Sequence, residues 1–209
     1  VGSDYNNDVI AIGKDNAQLL NQKQSKTNND SLKIFVSSLA SSNISNAGSI
    51  SNDKAYIAIG HNKGSLRATA ASNNEKPFDV KSRLEREWKI TNTNFTDDFS
   101  IEIEWDSAGS VDLSHLVLLV DDDGDFSNAS YYGSADGLTF SLGSIIIGGI
   151  DNSIISSGST KYITLGSVDE LTTLPVELLY FKANEVSEGV LLSWKTAMEI
   201  NNDYFILEK

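Results

Sequence analysis

Short apolar or alternating runs, each closed by a cluster of Asn, Asp, Gly and Ser, recur along nearly the whole chain, and this rhythm constrains the fold most. Runs of this length suit strands rather than helices, and their spacing is that of a sandwich or barrel. They predict strands near 8–12, 32–36, 55–60, 65–70, 84–91, 99–105, 115–120, 138–141, 144–148 and 161–165. Helix-favouring Ala-, Leu-, Glu- and Lys-rich stretches are missing. The fold class is therefore all-β, an antiparallel, jelly-roll-like β-sandwich.

Two runs show how far the pattern reaches. In "FSIEIEW" the residues Phe99, Ile101, Ile103 and Trp105 share one face, and Ser100, Glu102 and Glu104 share the other, so one side is expected in the core and the other in water. By contrast "HLVLLV" is apolar on both faces and belongs in the middle of a sheet covered on two sides. The segments 21–31 and 37–53 are polar enough to read as long surface loops. A weak echo links "VIAIGKDN", "YIAIGHNKG" and "IIIGGIDN", each read as a strand closed by a turn glycine. It does not suggest a solenoid.

A composition shift near Pro175 divides the chain into a β-sandwich domain, 1–172, and a C-terminal segment, 173–209. In the latter, Val176 to Phe181, Val190 to Trp194 and Tyr204 to Leu207 read as three strands. Three strands are too few to close a sandwich, so the segment is expected to be truncated or completed by a partner, and the chain to be a piece of a larger precursor.

With a formal net charge of −13, the chain repels nucleic acid and anionic lipid, and cations suit it better. It has no cysteine, hence no disulfide or thiolate metal site. Its apolar runs are too short to cross a bilayer as helices.

The strongest hint of chemistry is "LVLLVDDDGDFSNAS", where a strand runs into four aspartates within five residues. Asp121, Asp123 and Asp125 alternate around Gly124, which resembles the first half of the calcium loops of dockerin-like and EF-hand-like repeats. Hard carboxylate oxygens suit Ca²⁺, which takes six to eight of them. Tyr132 stands where an EF-hand has its bidentate Glu, so further ligands would come from the Ser127 carbonyl, Asn128, Asp136 or Asp112. The competing reading is a solvated acidic turn.

Other candidates are weighed against plainer roles. Arg86 lies on the predicted face of Leu84, Trp88 and Ile90, where it is either an anion site or an Arg stacked on Trp88 or Trp105 and paired to an internal acid. Trp88, Trp105 and Trp194 read as core rather than as a sugar platform. His61 and His115 lie in no HxH, HExxH or nucleophile-elbow pattern, and the expectation is a non-catalytic chain. "DSA" and "DSL" match a short O-glycosylation pattern, with Ser107 and Ser31 as attachment points.

The C-terminal motifs "LPVELLYFKA" and "LLSWKTAMEINNDYFILEK" resemble the start of the fibronectin-III-like module that precedes the sorting domain of Bacteroidota type IX secretion cargo. The stretches "AIGKDNAQLLNQKQS", "SRLEREWKI", "DLSHLVLLVDDDGDFSNA" and "LGSVDELTTLP" resemble a β-rich domain of such large surface proteins. The resemblance implies export to the cell surface or medium and attaches no activity. The expected function is a secreted, calcium-stabilised structural or adhesive module. The alternatives are a subunit of a self-assembling extracellular filament that docks its C-terminal strands onto a neighbouring copy, and an ancillary carbohydrate-binding domain that meets surface glycans.

Overall fold

The computed structural model describes residues 3–29, 31–68, 72, 74–104, 112–141, 144–169, 178–186 and 189–196. In chain order the strands are β1 (Asn7–Asp15), β2 (Leu20–Gln22), β3 (Gln24–Lys26), β4 (Leu32–Phe35), β5 (Ala55–His61), β6 (Ser82–Arg83), β7 (Trp88–Thr93) and β8 (Phe99–Ile103). There follow β9 (Leu116–Asp121), β10 (Ser130–Tyr132), β11 (Thr139–Ser141), β12 (Ile145–Ile150), β13 (Thr160–Ser167), β14 (Leu178–Val186) and β15 (Gly189–Thr196). An eight-stranded sheet has the order β10-β9-β13-β7-β5-β1-β2, with β6 also on β13, and a five-stranded sheet has the order β11-β12-β8-β4-β3. Every described strand pairing is antiparallel. The protein is an all-β sandwich.

The two sheets bury one main core. Ile12, Ile57, Ile59, Ile90, Leu118 and Ile163 come from the larger sheet, and Ile34, Ile101, Ile103, Ile145 and Ile147 from the smaller. β-branched side chains at alternate positions fill a pleated interface well, and each full burial contributes about 1.5–3 kcal/mol. The echo between the first two glycine-closed runs has a spatial meaning, since β1 and β5 are neighbours with Ile10 opposite Ile59 and Ile12 opposite Ile57. Their glycines do not make turns as expected. Gly13 and Gly60 lie inside the strands, where a Cβ would come within 2.6 Å of the Ala55 carbonyl and 2.5 Å of the Tyr5 carbonyl. Glycine serves close approach of backbones at these two positions.

Several expectations need correction. Strand β9 is second from the edge, not central, yet both its faces are covered as its apolar pattern requires. Leu116, Leu118 and Val120 enter the main core, while Val117 and Leu119 enter a smaller outer cluster with Val80, Phe126 and Ala129. The supposedly wet face of β8 is also buried, with Ser100 and Glu102 only 9% and 7% exposed. The run 84–91 is not one strand. Leu84 makes an isolated bridge to Ala68, and β7 begins at Trp88, so the strand expected at 65–70 reduces to that bridge among described residues. Segment 21–31 holds edge strands β2 and β3, whose polar residues gave no apolar alternation to read.

After β13, the hairpin β14–β15 forms a two-stranded sheet of its own. The strand expected at Tyr204 to Leu207 and the third-strand argument built on it lie outside the described residues.

The outer cluster yields a first test. Leu119→Ala should destabilise the protein by about 2–5 kcal/mol in urea or guanidinium unfolding, as a core truncation does. A solvated outer face would give less than about 0.5 kcal/mol.

Candidate functional site

The aspartate turn lies where β9 leaves the sheet. Asp121, the strand's last residue, is 6% exposed and pairs with Tyr162 of β13. Its Oδ1 accepts the backbone N–H groups of Asp123 at 2.8 Å and Gly124 at 2.5 Å. Gly124 adopts φ +94°, a left-handed conformation that closes the turn with little strain only in glycine. Asp123 Oδ1 then accepts the N–H of Asp125 at 2.9 Å. Asp125 in turn caps the one-turn 3-10 helix Phe126–Asn128, accepting the Ser127 N–H at 3.0 Å.

The Ser127 hydroxyl and N–H together hold the Asp125 carboxyl below its ordinary range, with a smaller attraction from the Arg83 guanidinium. With its amide oriented to satisfy both neighbours, Asn128 donates to the Asp125 carbonyl at 2.8 Å and to Asp121 Oδ2 at 3.0 Å. Asp122 pairs with Lys161. The clustered negative charge is thus met by backbone N–H groups, one amide and one ammonium. Overlapping Asx turns of this kind are what Asp and Gly favour locally.

Of the expected calcium ligands, Asp121, Asp123, Asp125 and Ser127 are gathered in this one turn, with Asn128 beside them. Asp136 and Asp112 are not. Strand β10 runs back along β9 to place Tyr132 opposite Leu118, after which Asp136 Oδ2 accepts the Gly133 N–H at 2.8 Å. Asp112 caps the 3-10 helix Leu113–His115 that leads into β9. Both remote acids therefore sit at the opposite end of β9 from the turn, a separation set by strand length. Among the described residues no group of three or more His, Asp or Glu side chains is arranged to hold a metal.

Beneath the turn, Phe126 is fully buried, and the Arg83 guanidinium stacks on its ring with its carbon 4.7 Å from the centroid. Arg83 is 1% exposed. It reaches Glu75 Oε2 at 2.5 Å, Glu87 Oε1 at 3.1 Å, and the carbonyls of Glu75 at 2.6 Å and Leu84 at 3.0 Å. Glu87 Oε2 also accepts the Tyr5 hydroxyl at 2.7 Å and the Asn62 amide at 3.1 Å. Burial, and then the bond to Glu87, push the Tyr5 phenol well above its ordinary pKa. The stacked and internally paired Arg weighed for Arg86 is realised at Arg83, on Phe126 rather than a tryptophan. Arg86 is partly buried and donates from Nε to the Gly64 carbonyl at 2.7 Å. Its misplacement follows from the bend at Glu85 to Glu87, which breaks the alternation.

The remaining candidates have structural surroundings. Trp88 is core at 1% exposure, Trp105 lies outside the described residues, and Trp194 stacks on Phe181 in the separate hairpin, with centroids 6.5 Å apart. Ser31 is only 7% exposed, and its hydroxyl donates to Asn29 Oδ1 at 2.8 Å, so it does not offer the surface position expected of a glycan attachment point. Ser107 lies outside the described residues. His115 lies 3.6 Å from Asp112 and 3.4 Å from Asp169.

His61 is buried at the end of β5. Its Nδ1 accepts the Lys63 N–H at 3.0 Å, so Nε2 carries the proton and donates to Asp8 Oδ2 at 3.0 Å. Burial lowers the imidazole pKa, and the bond to Asp8 opposes the shift only in part.

An all-β sandwich whose chemistry-bearing side chains are held in internal polar networks is the class these observations define. The chain belongs to the family described as Domain of unknown function (DUF8202), whose model matches residues 1–147. The match ends within β12, so the central partner strand β13 follows it. No curated protein and no solved structure matches the chain.

Two measurements test this local chemistry. Asp121→Ala removes the charged acceptor of two part-buried turn N–H groups and should cost about 1–3 kcal/mol in chemical denaturation. For His61, the folded pKa lies below the unfolded value of 6.5, so the unfolded chain binds more protons between the two. Its contribution is complete above pH 6.5 and is lost as pH falls towards the depressed folded value. Melting temperature should decline over that interval in the parent, and His61→Gln should flatten the decline.

Proposed function

We propose that the chain is a non-catalytic, secreted or cell-surface β-sandwich module with a structural or adhesive role, stabilised by calcium at the Asp121 to Ser127 turn. The observation that carries the reading is the use made of its polar residues. Arg83, Glu87, Glu102 and His61 each tie one segment to another from a buried or partly buried position, and Asp121 closes its own turn. Side chains so engaged stabilise a shape and are poorly placed to meet a substrate. In this reading a cation takes up the carboxylate oxygens directed away from the turn's N–H groups and adds stability by binding only the folded chain. The resemblance to type IX cargo supports the extracellular destination.

The hairpin favours a second reading, a subunit of an extracellular filament. Phe181, opposite Trp194, and Val190, opposite Glu185, share one face, and both are more than half exposed at 52% and 64%. An isolated two-stranded sheet with such a face is marginal in water and gains from docking on a neighbouring copy.

Surface labelling of intact cells of the parent bacterium should detect the module, and a signal confined to lysed cells would overturn the extracellular role. Added calcium should raise the melting temperature over that in chelator, and Asp123→Asn should reduce the difference. Coincident melts would remove the metal and leave the module. Light scattering that stays monomeric over a wide concentration range would remove the filament.

A further inference from the structure

The layer built on Phe126 covers the outward face of the larger sheet at β9 and β13. Further across the sheet, on β7, β5 and β1, the same face is open: Ala11, Thr93 and Thr160 are exposed, and Tyr56, Ala58 and Thr91 are only partly buried. Register sets Thr160 opposite Thr91, Thr91 opposite Ala58 and Ala58 opposite Ala11, so one row of small side chains crosses four strands. The row points outward, because it alternates with Ile12, Ile59, Ile90 and Ile163, which are buried in the main core. An open antiparallel face ordinarily carries longer polar side chains, and alanine is disfavoured in strands. Two alanines in direct register there serve flatness rather than packing.

Tyr56 borders the row on one side. It stands opposite Gly13, and a Cβ on that glycine would collide with the Tyr56 ring. The phenol O–H donates to Asp15 Oδ2 at 2.9 Å, two residues further along β1 on the same face. The ring therefore lies along β1 instead of standing up from the sheet, with one face on Gly13 and the other towards solvent. On the opposite side of the row Val9, 49% exposed, packs where a Cβ on Gly60 would come within 2.9 Å of its Cγ2. Lys89, opposite Gly60, leans away so that its ammonium lies 5.0 Å from the centroid of the Tyr162 ring. The result is a shallow trough with an aromatic plate along one edge. In its floor the Thr91 and Thr160 hydroxyls lie 3.3 Å apart, and one bond between them leaves a hydroxyl proton and lone pairs outside the pair.

We propose that this trough binds a neutral, β-linked glycan of gluco configuration, laid across the strands. A pyranose ring with equatorial hydroxyls turns its C–H face, weakly positive, onto the electron-rich face of Tyr56, and its hydroxyls meet Thr91 and Thr160. Charge selects a neutral occupant. The row itself is uncharged, Asp15 is taken up by the Tyr56 hydroxyl and the N–H groups of Ala17 and Gln18, and Lys89 lies on Tyr162. Area argues against a second copy of the chain. Four strands about 4.8 Å apart and three side-chain rows about 6.8 Å apart cover roughly 400 Å². A stable dimer needs about 800 Å² on each partner, whereas a few sugar rings fit the smaller area. The proposal rests on the adhesive half of the reading above and gives it a ligand.

The test is NMR titration of the full chain with the β-1,4-linked glucose hexamer, the β-1,4-linked mannuronate hexamer and glucose. The glucose hexamer should bind, shift the backbone amides of Ala11, Ala58 and Thr91 in the parent, and exceed glucose by at least about tenfold. The anionic hexamer should bind no more tightly than the neutral one. Tyr56→Ala removes the plate and Ala58→Gln fills the floor. Both are checked for parental melting, and each should weaken binding by about tenfold, the scale of one lost aromatic contact. No binding of the glucose hexamer at millimolar concentration, shifts centred away from those three residues, tighter binding of mannuronate, or unchanged affinity in both variants would each overturn the proposal. A dimer in light scattering that Ala58→Gln abolishes would also overturn it, by giving the face to a second copy. Attachment of the protein to cells is read separately. Absence of attachment by the parent overturns adhesion itself, whereas attachment that the soluble hexamer and both variants leave unchanged overturns only the trough.

Discussion

The two-sided burial of β9 is the constraint on which the rest of the larger sheet depends. A strand reading Leu-Val-Leu-Leu-Val cannot leave either face in water, so the chain must supply a second cover outside the sandwich. It does so with the segment just downstream, folding Phe126 back over Val117 and Leu119. That return requires a tight turn directly after the strand, and the aspartates with Gly124 make it. The acidic cluster is thus a consequence of apolar packing. Its carboxylates supply the acceptors that a turn lacking strand partners needs for its own N–H groups.

Arg83 extends the same logic one layer outwards. A guanidinium covering Phe126 adds apolar contact and cation–π attraction, but its charge must then be met in a poorly solvated place. Glu75 and Glu87 meet it, and Glu87 draws in Tyr5 and Asn62. Tyr5 also sets its ring edge on Tyr162, with centroids 5.1 Å apart, beside the aspartate turn. The beginning of the chain, the segment before β7 and the end of β9 are thereby joined through one buried cation.

What could be read from the sequence follows from this hierarchy. Runs that fill the main core, such as Ala55 to Ile59 or Ile145 to Ile147, announce themselves because alternation and β-branching are imposed by burial on one side. Edge strands β2 and β3 were silent because backbone pairing specifies them and side-chain burial hardly does. The outward face of β8 misled for a different reason. Glu102 is polar, yet Lys33 and Ser144 let it be buried, and no local pattern shows that a partner lies on another strand. Similarly, the aspartates advertise the turn but not its donors, since a sequence shows acidic side chains and conceals the direction of N–H groups. The distance to Asp136 depends on the β9–β10 register, which only strand pairing fixes.

Charge illustrates the difference between composition and location. A net −13 predicts repulsion of anions at long range, yet that field is screened within about 8 Å at physiological salt. Many of the chain's carboxylates are also engaged. Asp15 accepts the Tyr56 hydroxyl, while Asp125 and Asp151 accept serine hydroxyls and turn N–H groups. Net charge therefore says little about any one place on this sandwich, because its carboxylates are spent locally on the hydroxyls and N–H groups of its own turns.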